Sequence, residues 1–90
     1  MNWEIIANRT IEVMGTREIC VSLMDSNGKD KGRHRFKPLE LYKAEVIVER
    51  HKTSGIIITS YKVFNKEEDF VMLRANKFNE AFIAIGSWEE

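Results

Sequence analysis

Alternating apolar and polar residues mark the first two thirds of the chain. In the segment REICVSLMD, Ile19, Val21 and Leu23 alternate with polar or small residues. A period of two places these three side chains on one face of a half-buried strand. The segment RTIEVMG repeats the pattern more briefly, with Ile11 and Val13 as its apolar positions. The pattern therefore predicts two strands near the N-terminus.

Turn residues after the second of these strands predict a first hairpin. Asn27-Gly28 is a strong tight-turn signal because both residues tolerate positive φ. The segment GKDKGRHRFK, residues 28–37, then supplies the loop and the return strand, with residues 29–32 at the tip. Alternation gives the return strand a cationic face and an aromatic face, formed by Arg33, Arg35 and Lys37 and by His34 and Phe36.

A second hairpin is predicted in the middle of the chain. Ala44, Val46 and Val48 share one face of a strand, the segment GIIITSYKVF is rich in β-branched residues, and the short link KTSG joins them. The competing interpretation is a helix over residues 38–50, because Pro38 suits the first turn of a helix. The β-branched run VIV favours the strand.

The C-terminal third carries the signals of a helix. Asn65 is a good N-cap, and Glu68 completes a capping box three residues later. The apolar residues that follow recur at helical spacing and form one stripe: Val71, Ala75, Phe78, Phe82 and Ile85. The segment AFIAIGSW also alternates like a strand, so residues 80–88 are open to both interpretations. A helix over residues 66–79 followed by a last strand satisfies both signals.

These elements predict one α+β domain over residues 1–90. We expect an antiparallel sheet of four to five strands, built from two hairpins, with one amphipathic helix near the C-terminus packed on one face. The hydrophobic fraction of 43% and the charged fraction of 31% are ordinary for a globular domain and argue against a disordered chain.

The charged residues are unevenly distributed in one segment of the chain. The chain is neutral overall, with 14 Lys and Arg against 14 Asp and Glu. Residues 28–37 nevertheless hold five cations against the single acid Asp30. We call residues 28–37 the basic arm. Its cations are Lys29, Lys31, Arg33, Arg35 and Lys37.

Motifs for metal, nucleotide and nucleophilic chemistry are missing from the sequence. Cys20 is the only cysteine, and His34 and His51 lack the spacing of zinc ligands. The sequence contains no phosphate-binding loop, dinucleotide fingerprint or nucleophile elbow. Because Cys20 lies within a strand pattern, we interpret it as a small packing residue. We expect a protein without enzymatic activity, cofactor or metal.

The apolar runs, the N-terminal residues and the single cysteine together indicate a cellular compartment. The longest apolar run, AFIAI, is far shorter than a membrane-spanning helix of about 20 residues. The N-terminus lacks the basic start and apolar stretch of a signal peptide. A lone cysteine suits a reducing compartment. We therefore expect a cytoplasmic protein that does not enter membranes.

The basic arm is the leading candidate for function, as a site for nucleic acid or another phosphate-bearing anion. Arginine forks bind phosphates or guanine in bidentate fashion, lysines act as point charges, and exposed aromatic rings stack on unpaired bases. The candidate binding residues are Lys29, Lys31, Arg33, His34, Arg35, Phe36 and Lys37. If the two hairpins lie side by side, the site extends to Tyr42, Arg50, His51 and Lys52.

A protein-binding module is the alternative interpretation. A short chain without catalytic motifs suits a stoichiometric inhibitor, an adaptor or a small homo-oligomer. Such a module engages its partner through an exposed strand edge, or through the same cationic loop against an acidic protein surface. Trp3 and Trp88 lie near the two ends of the chain. They are interpreted as a packed clamp, with an exposed anchor for a partner as the alternative.

Overall fold

A computed structural model describes residues 2–87 of the chain. Over these residues the backbone forms a series of strands with one short helix before the last of them. In chain order the elements are β1 (Trp3–Gly15), β2 (Ile19–Met24), β3 (Asp30–Phe36), β4 (Leu41–His51), β5 (Ile57–Phe64), β6 (Phe70–Arg74), α1 (Ala75–Ala81) and β7 (Phe82–Ser87).

One antiparallel sheet contains all of these strands, in the spatial order β3-β2-β6-β5-β4-β1-β7. The sheet curls into a half-barrel, and β3 and β7 are its two edges. The predicted fold class is therefore wrong. Within the described residues the chain has seven antiparallel strands and one short helix, instead of four to five strands with an amphipathic helix.

Both predicted hairpins are present. β2 pairs with β3, and β4 pairs with β5. The strand interpretation of the middle segment is confirmed because β4 runs over Leu41–His51, and a helix over residues 38–50 is excluded. Gly55 has a φ of 76° in the link between β4 and β5, a conformation that glycine adopts without steric cost. The two hairpins do not lie side by side, because β6 separates β2 from β5.

The predicted capping box at Asn65 is a turn between two strands. The side-chain Oδ1 of Asn65 accepts hydrogen bonds from the backbone amides of Glu67 at 3.0 Å and Asp69 at 2.9 Å. Glu68 has a φ of 67°, which ends any helical path at that residue. The chain then enters β6. An asparagine that caps a helix and one that closes an Asx turn use the same acceptor, so the local signal is ambiguous.

The predicted helical stripe is divided among three elements. Val71 lies in β6, Ala75 and Phe78 lie in α1, and Phe82 and Ile85 lie in β7. The strand interpretation of the segment AFIAIGS is confirmed by β7. Trp88 lies outside the described residues, so the predicted clamp of the two tryptophans is not described. Among residues 2–87, no helix combines the length and apolar character needed to span a membrane.

Aromatic rings fill the concave side of the sheet. Phe78 of α1 stacks on Tyr61 of β5, with ring centroids 3.8 Å apart, and on Phe82 at 5.4 Å. The short helix therefore closes the half-barrel by packing one ring into it. The buried apolar residues of this core are Ile11, Val13, Leu23, Phe36, Ala44, Val46, Val63, Phe78, Ala81 and Phe82.

Candidate nucleic-acid interface

The basic arm forms one edge of the half-barrel. Its strand, β3, pairs with β2 on one side and has no strand on the other side within residues 2–87. Arg33 lies opposite Ser22, and Arg35 lies opposite Cys20. Both arginine side chains are exposed, which confirms that the strand has a cationic outer face. Cys20 itself is exposed, so its interpretation as a packing residue is wrong.

A carboxylate organises the turn that leads into the arm. Oδ1 of Asp25 accepts the backbone amides of Asn27 at 2.9 Å and Lys29 at 3.0 Å. The hydrogen bond from Lys29 is the main reason that the pKa of Asp25 lies below its usual value, and nearby Lys31 adds to the effect. Gly28 provides the positive φ of 82° that the turn requires. The tip of the hairpin is therefore this turn, and not residues 29–32 as predicted.

A bulge interrupts the first part of β3. Gly32 lies opposite Leu23, and Asp30 lies opposite Met24, so Lys31 is the extra residue. Gly32 has a φ of 81°, and its amide donates to Oδ1 of Asp30 at 2.8 Å. The carboxylate of Asp30 is thus engaged with the backbone. The bulge leaves Lys31 exposed and without a partner residue across the strand pair.

Most cations of the arm have no acidic partner. Within residues 2–87, Arg35 is the one that lies within 4 Å of an acid, with its Nε 3.6 Å from Oε2 of Glu18. Both of these side chains are exposed, so the pair contributes little stability. Nη2 of Arg33 donates to the backbone carbonyl of Cys20 at 3.0 Å, which orients the guanidinium without neutralising it. The remaining charges, on Lys29, Lys31 and Lys37, are exposed.

The aromatic face of the arm lies inside the core. Phe36 is 0% exposed and packs edge-on against Tyr42 at 4.9 Å and Phe82 at 5.6 Å. His34 is half-buried and packs edge-on against Phe36 at 4.9 Å. The prediction that Phe36 stacks on a base is therefore wrong, because its ring has no surface to offer. His34 retains only part of its surface for such a contact.

Of the predicted extension, only Tyr42 touches the arm. The Tyr42 hydroxyl accepts the backbone amide of Lys37 at 2.9 Å and donates to Oε2 of Glu40 at 3.0 Å. Burial raises the pKa of the Tyr42 phenol, and the Glu40 carboxylate adds to the rise. The phenol therefore stays protonated and fixes the end of the arm as a structural contact.

The other residues of the extension lie at the far end of β4. At about 3.3 Å per strand residue, Arg50 is about 26 Å from Tyr42. Nε of Arg50 donates to Oε1 of Glu4 at 3.0 Å and lowers the pKa of that carboxyl. His51 packs edge-on against Trp3, with ring centroids 5.0 Å apart, and Lys52 follows in the turn. Because β6 separates the hairpins, these residues do not continue the basic arm.

A groove beside the arm was not predicted. β2 meets β6 at a single pair, Met24 with Phe70, and the space between β2 and α1 forms a groove of about 510 Å³. Its apolar lining includes Ile19 and Leu73, and its cations are Arg17 and Lys77. Cys20, whose backbone carbonyl accepts the hydrogen bond from Arg33, also lines this groove. Arg17 and Lys77 are distant in sequence, so no local pattern brings them together.

Clusters suited to metal binding are not found: within residues 2–87, no group of three or more His, Cys, Asp or Glu side chains lies close enough to hold an ion. The candidate site is thus a cationic strand edge beside a groove, fixed by a turn and by a buried aromatic anchor. No family model, curated protein or solved structure matches the chain.

Proposed function

We propose that the protein binds the phosphate backbone of nucleic acid, or another phosphate-bearing anion, through the basic arm and without catalysis. The observation that carries this proposal is the concentration of exposed cations along one edge of the sheet. Of the five cations in the arm, only Arg35 lies within 4 Å of an acid within residues 2–87. Cations left unpaired along one edge attract phosphates and release counterions when they bind.

Binding is expected to depend little on base sequence. Proteins that contact the bases of single-stranded nucleic acid stack them on exposed aromatic rings. In the arm, the ring of Phe36 is buried and that of His34 is half-buried. The exposed groups are ammonium and guanidinium, which contact phosphates. Because the chain is neutral overall, we expect affinity in the range of non-specific binding, about 10⁻⁴ to 10⁻⁶ M at physiological salt.

The groove extends the cationic surface away from the arm. Arg17 and Lys77 lie among its lining residues, with Cys20 joining groove and arm. We propose that a bound backbone that passes Cys20 also contacts these two cations. Lys77 lies 3.7 Å from Glu80, so its charge is partly compensated. We therefore assign the main role to the arm and a secondary one to the groove.

Salt-dependent fluorescence anisotropy tests the proposal. Labelled single-stranded RNA, single-stranded DNA and duplex DNA are titrated with protein at about 50 mM and about 200 mM salt. We expect binding that weakens steeply with salt. The Arg33→Ala/Arg35→Ala variant is expected to raise Kd at least tenfold, since the loss of one charged hydrogen bond of about 1.5 kcal/mol already corresponds to roughly tenfold. Its salt slope should flatten by about 0.7 to 0.9 per lost contact.

A charge-matched control is the Lys52→Ala/Lys66→Ala variant. Both lysines are exposed and lie in other turns, so net charge falls by the same amount. We expect this control to bind like the unmodified protein. Equal losses in the two variants, or no binding at about 50 mM salt, would contradict the proposal. Equal competition by poly-glutamate of matched charge would instead favour an acidic protein surface as the partner.

A further inference from the structure

The two edges of the sheet differ in charge. β3 carries Lys31, Arg33 and Arg35 along its length. β7 carries no charged residue between Phe82 and Ser87. Charged side chains on an edge strand prevent its pairing with another chain, and an uncharged apolar edge lacks this protection. Among the described residues, β7 pairs with β1 on one side and with nothing on the other.

The large exposed side chains of β7 are apolar. Ile83 and Ile85 are 52% and 50% exposed. Ile85 is the extra residue of a bulge, because Ala84 pairs with Val13 and Gly86 pairs with Glu12. Ile83 alternates with Ala84, which lies opposite the buried Val13, so Ile83 lies on the outer face of the sheet. On that face Ile83 lies opposite Met14 of β1, which lies opposite the exposed Leu41 of β4. This row carries an apolar strip across three strands to the free edge. An uncharged edge joined to such a strip is suited to pairing with a similar strand.

We propose that β7 pairs antiparallel with β7 of a second copy of this chain, around a two-fold axis at Ala84. The pairing joins two half-barrels into one continuous sheet. The axis places Ile83 opposite Ile85 of the second copy, and Ile85 opposite Ile83, which gives two identical cross-strand pairs. It also places Phe82 opposite Gly86 of the second copy, where the glycine lacks a side chain of its own.

A second copy fits this edge because β7 is complementary to itself. A two-fold interface brings residue i of one copy against residue j of the other, and j against i, so any charge on the strand would occur twice in the same short interface. β7 has no charged residue. Moving the axis to Ile85 would leave Ile83 opposite Ser87. The axis at Ala84 is therefore the register that buries both isoleucines. One strand of 6 residues makes a small interface, so we expect a concentration-dependent dimer.

Light scattering coupled to gel filtration, over a range of protein concentrations, measures the association. We expect the unmodified protein to approach twice the monomer mass. The Ile83→Lys/Ile85→Lys variant is expected to stay monomeric and raise the dimer Kd roughly a hundredfold, because four isoleucines lose their apolar contacts. The matched control is Ile56→Lys/Ile57→Lys, which alters two isoleucines that are 58% exposed in another hairpin. This control is expected to dimerise normally.

Disulfide trapping tests the axis. In a Cys20→Ser background, Ala84→Cys places its thiol opposite its own counterpart, within the Cα separation that a disulfide requires. Gly86→Cys places the two Cα atoms about 13 Å apart, from four residue steps of about 3.3 Å. We expect a crosslinked dimer from the first variant and none from the second.

Three results would overturn this inference. The first is a monomer at every concentration of the unmodified protein. The second is a dimer that survives Ile83→Lys/Ile85→Lys while far-UV circular dichroism shows the native fold. The third is trapping at Gly86→Cys that equals trapping at Ala84→Cys. Because the assay contains no nucleic acid, these results are independent of the proposed anion site on β3.

Discussion

Replacing Phe36 with alanine is expected to lower the free energy of unfolding by about 3–5 kcal/mol. The ring is 0% exposed and packs edge-on against His34, Tyr42 and Phe82. It joins the end of the basic arm to β4 and β7 across the open side of the half-barrel. Removing it leaves a cavity and frees this end of the arm. Urea denaturation, followed by circular dichroism, measures the loss.

The Phe36→Leu variant separates packing from binding. Leucine refills part of the space, so we expect a smaller loss and a folded protein. Its affinity for single-stranded nucleic acid should match that of the unmodified protein, because the ring is buried and does not face the ligand. A folded Phe36→Leu variant that loses affinity as strongly as Arg33→Ala/Arg35→Ala would contradict this view and would restore Phe36 as a stacking residue.

The Gly15→Ala variant is expected to lose about 2–3 kcal/mol of stability, as overpacking does in a close-packed site. A Cβ atom added at this position would clash with the backbone carbonyl oxygen of Lys37. The backbone has little freedom to retreat. The Gly15 carbonyl accepts the amide of Leu39 at 2.8 Å, and the Gly15 amide donates to the carbonyl of Glu40 at 2.9 Å.

Thermal unfolding measures this effect. For a domain of 90 residues, the expected loss corresponds to a fall in Tm of about 10–20 °C. The matched control is Gly86→Ala, measured at a protein concentration at which the chain is monomeric, because a Cβ atom there meets no heavy atom of its own chain within 4 Å and Gly86 does not have a positive φ. We expect Gly86→Ala to change Tm by a few degrees at most. Equal Tm values for the two variants would show that the loop after Lys37 yields to the added methyl group.

Local patterns predicted those parts of the fold that local chemistry determines. Asn27-Gly28 marks a real turn, and Gly28 adopts the positive φ that makes glycine favourable there. Alternation in β2 and β4 places Leu23 and Ala44 in the core, as the period of two requires. These features depend on contacts between neighbours in sequence or across a hairpin. They are therefore visible in short segments.

The C-terminal third could not be predicted in the same way. Asn65 uses the same side-chain oxygen for an Asx turn as for a helix cap. The choice of strand for residues 70–74 depends on pairing with β5, where Phe64 lies opposite Phe70. Phe78 satisfies a helical stripe, and in the structure it packs on Tyr61 of a distant strand. Tertiary pairing overrides local propensity in this segment.

In the candidate site, too, some features follow from local sequence and others depend on tertiary contacts. The cations of the arm are adjacent in sequence, so composition alone finds them. The burial of Phe36 depends on Tyr42 and Phe82, which reach it only when the sheet curls. The meeting of Arg17 and Lys77 in one groove likewise depends on the gap between β2 and α1. The sequence therefore predicts the cations of the arm, but it predicts neither the burial of Phe36 nor the neighbouring groove.

An amide-resolved NMR titration with a short single-stranded oligonucleotide tests whether the basic arm contacts phosphates. We expect chemical shift changes to concentrate in residues 28–37, with smaller changes at Arg17 and Lys77 and none at residues 50–52. The changes should shrink as salt is raised. Changes that concentrate at residues 50–52 and leave the arm unaffected would show that the phosphates bind elsewhere on the protein.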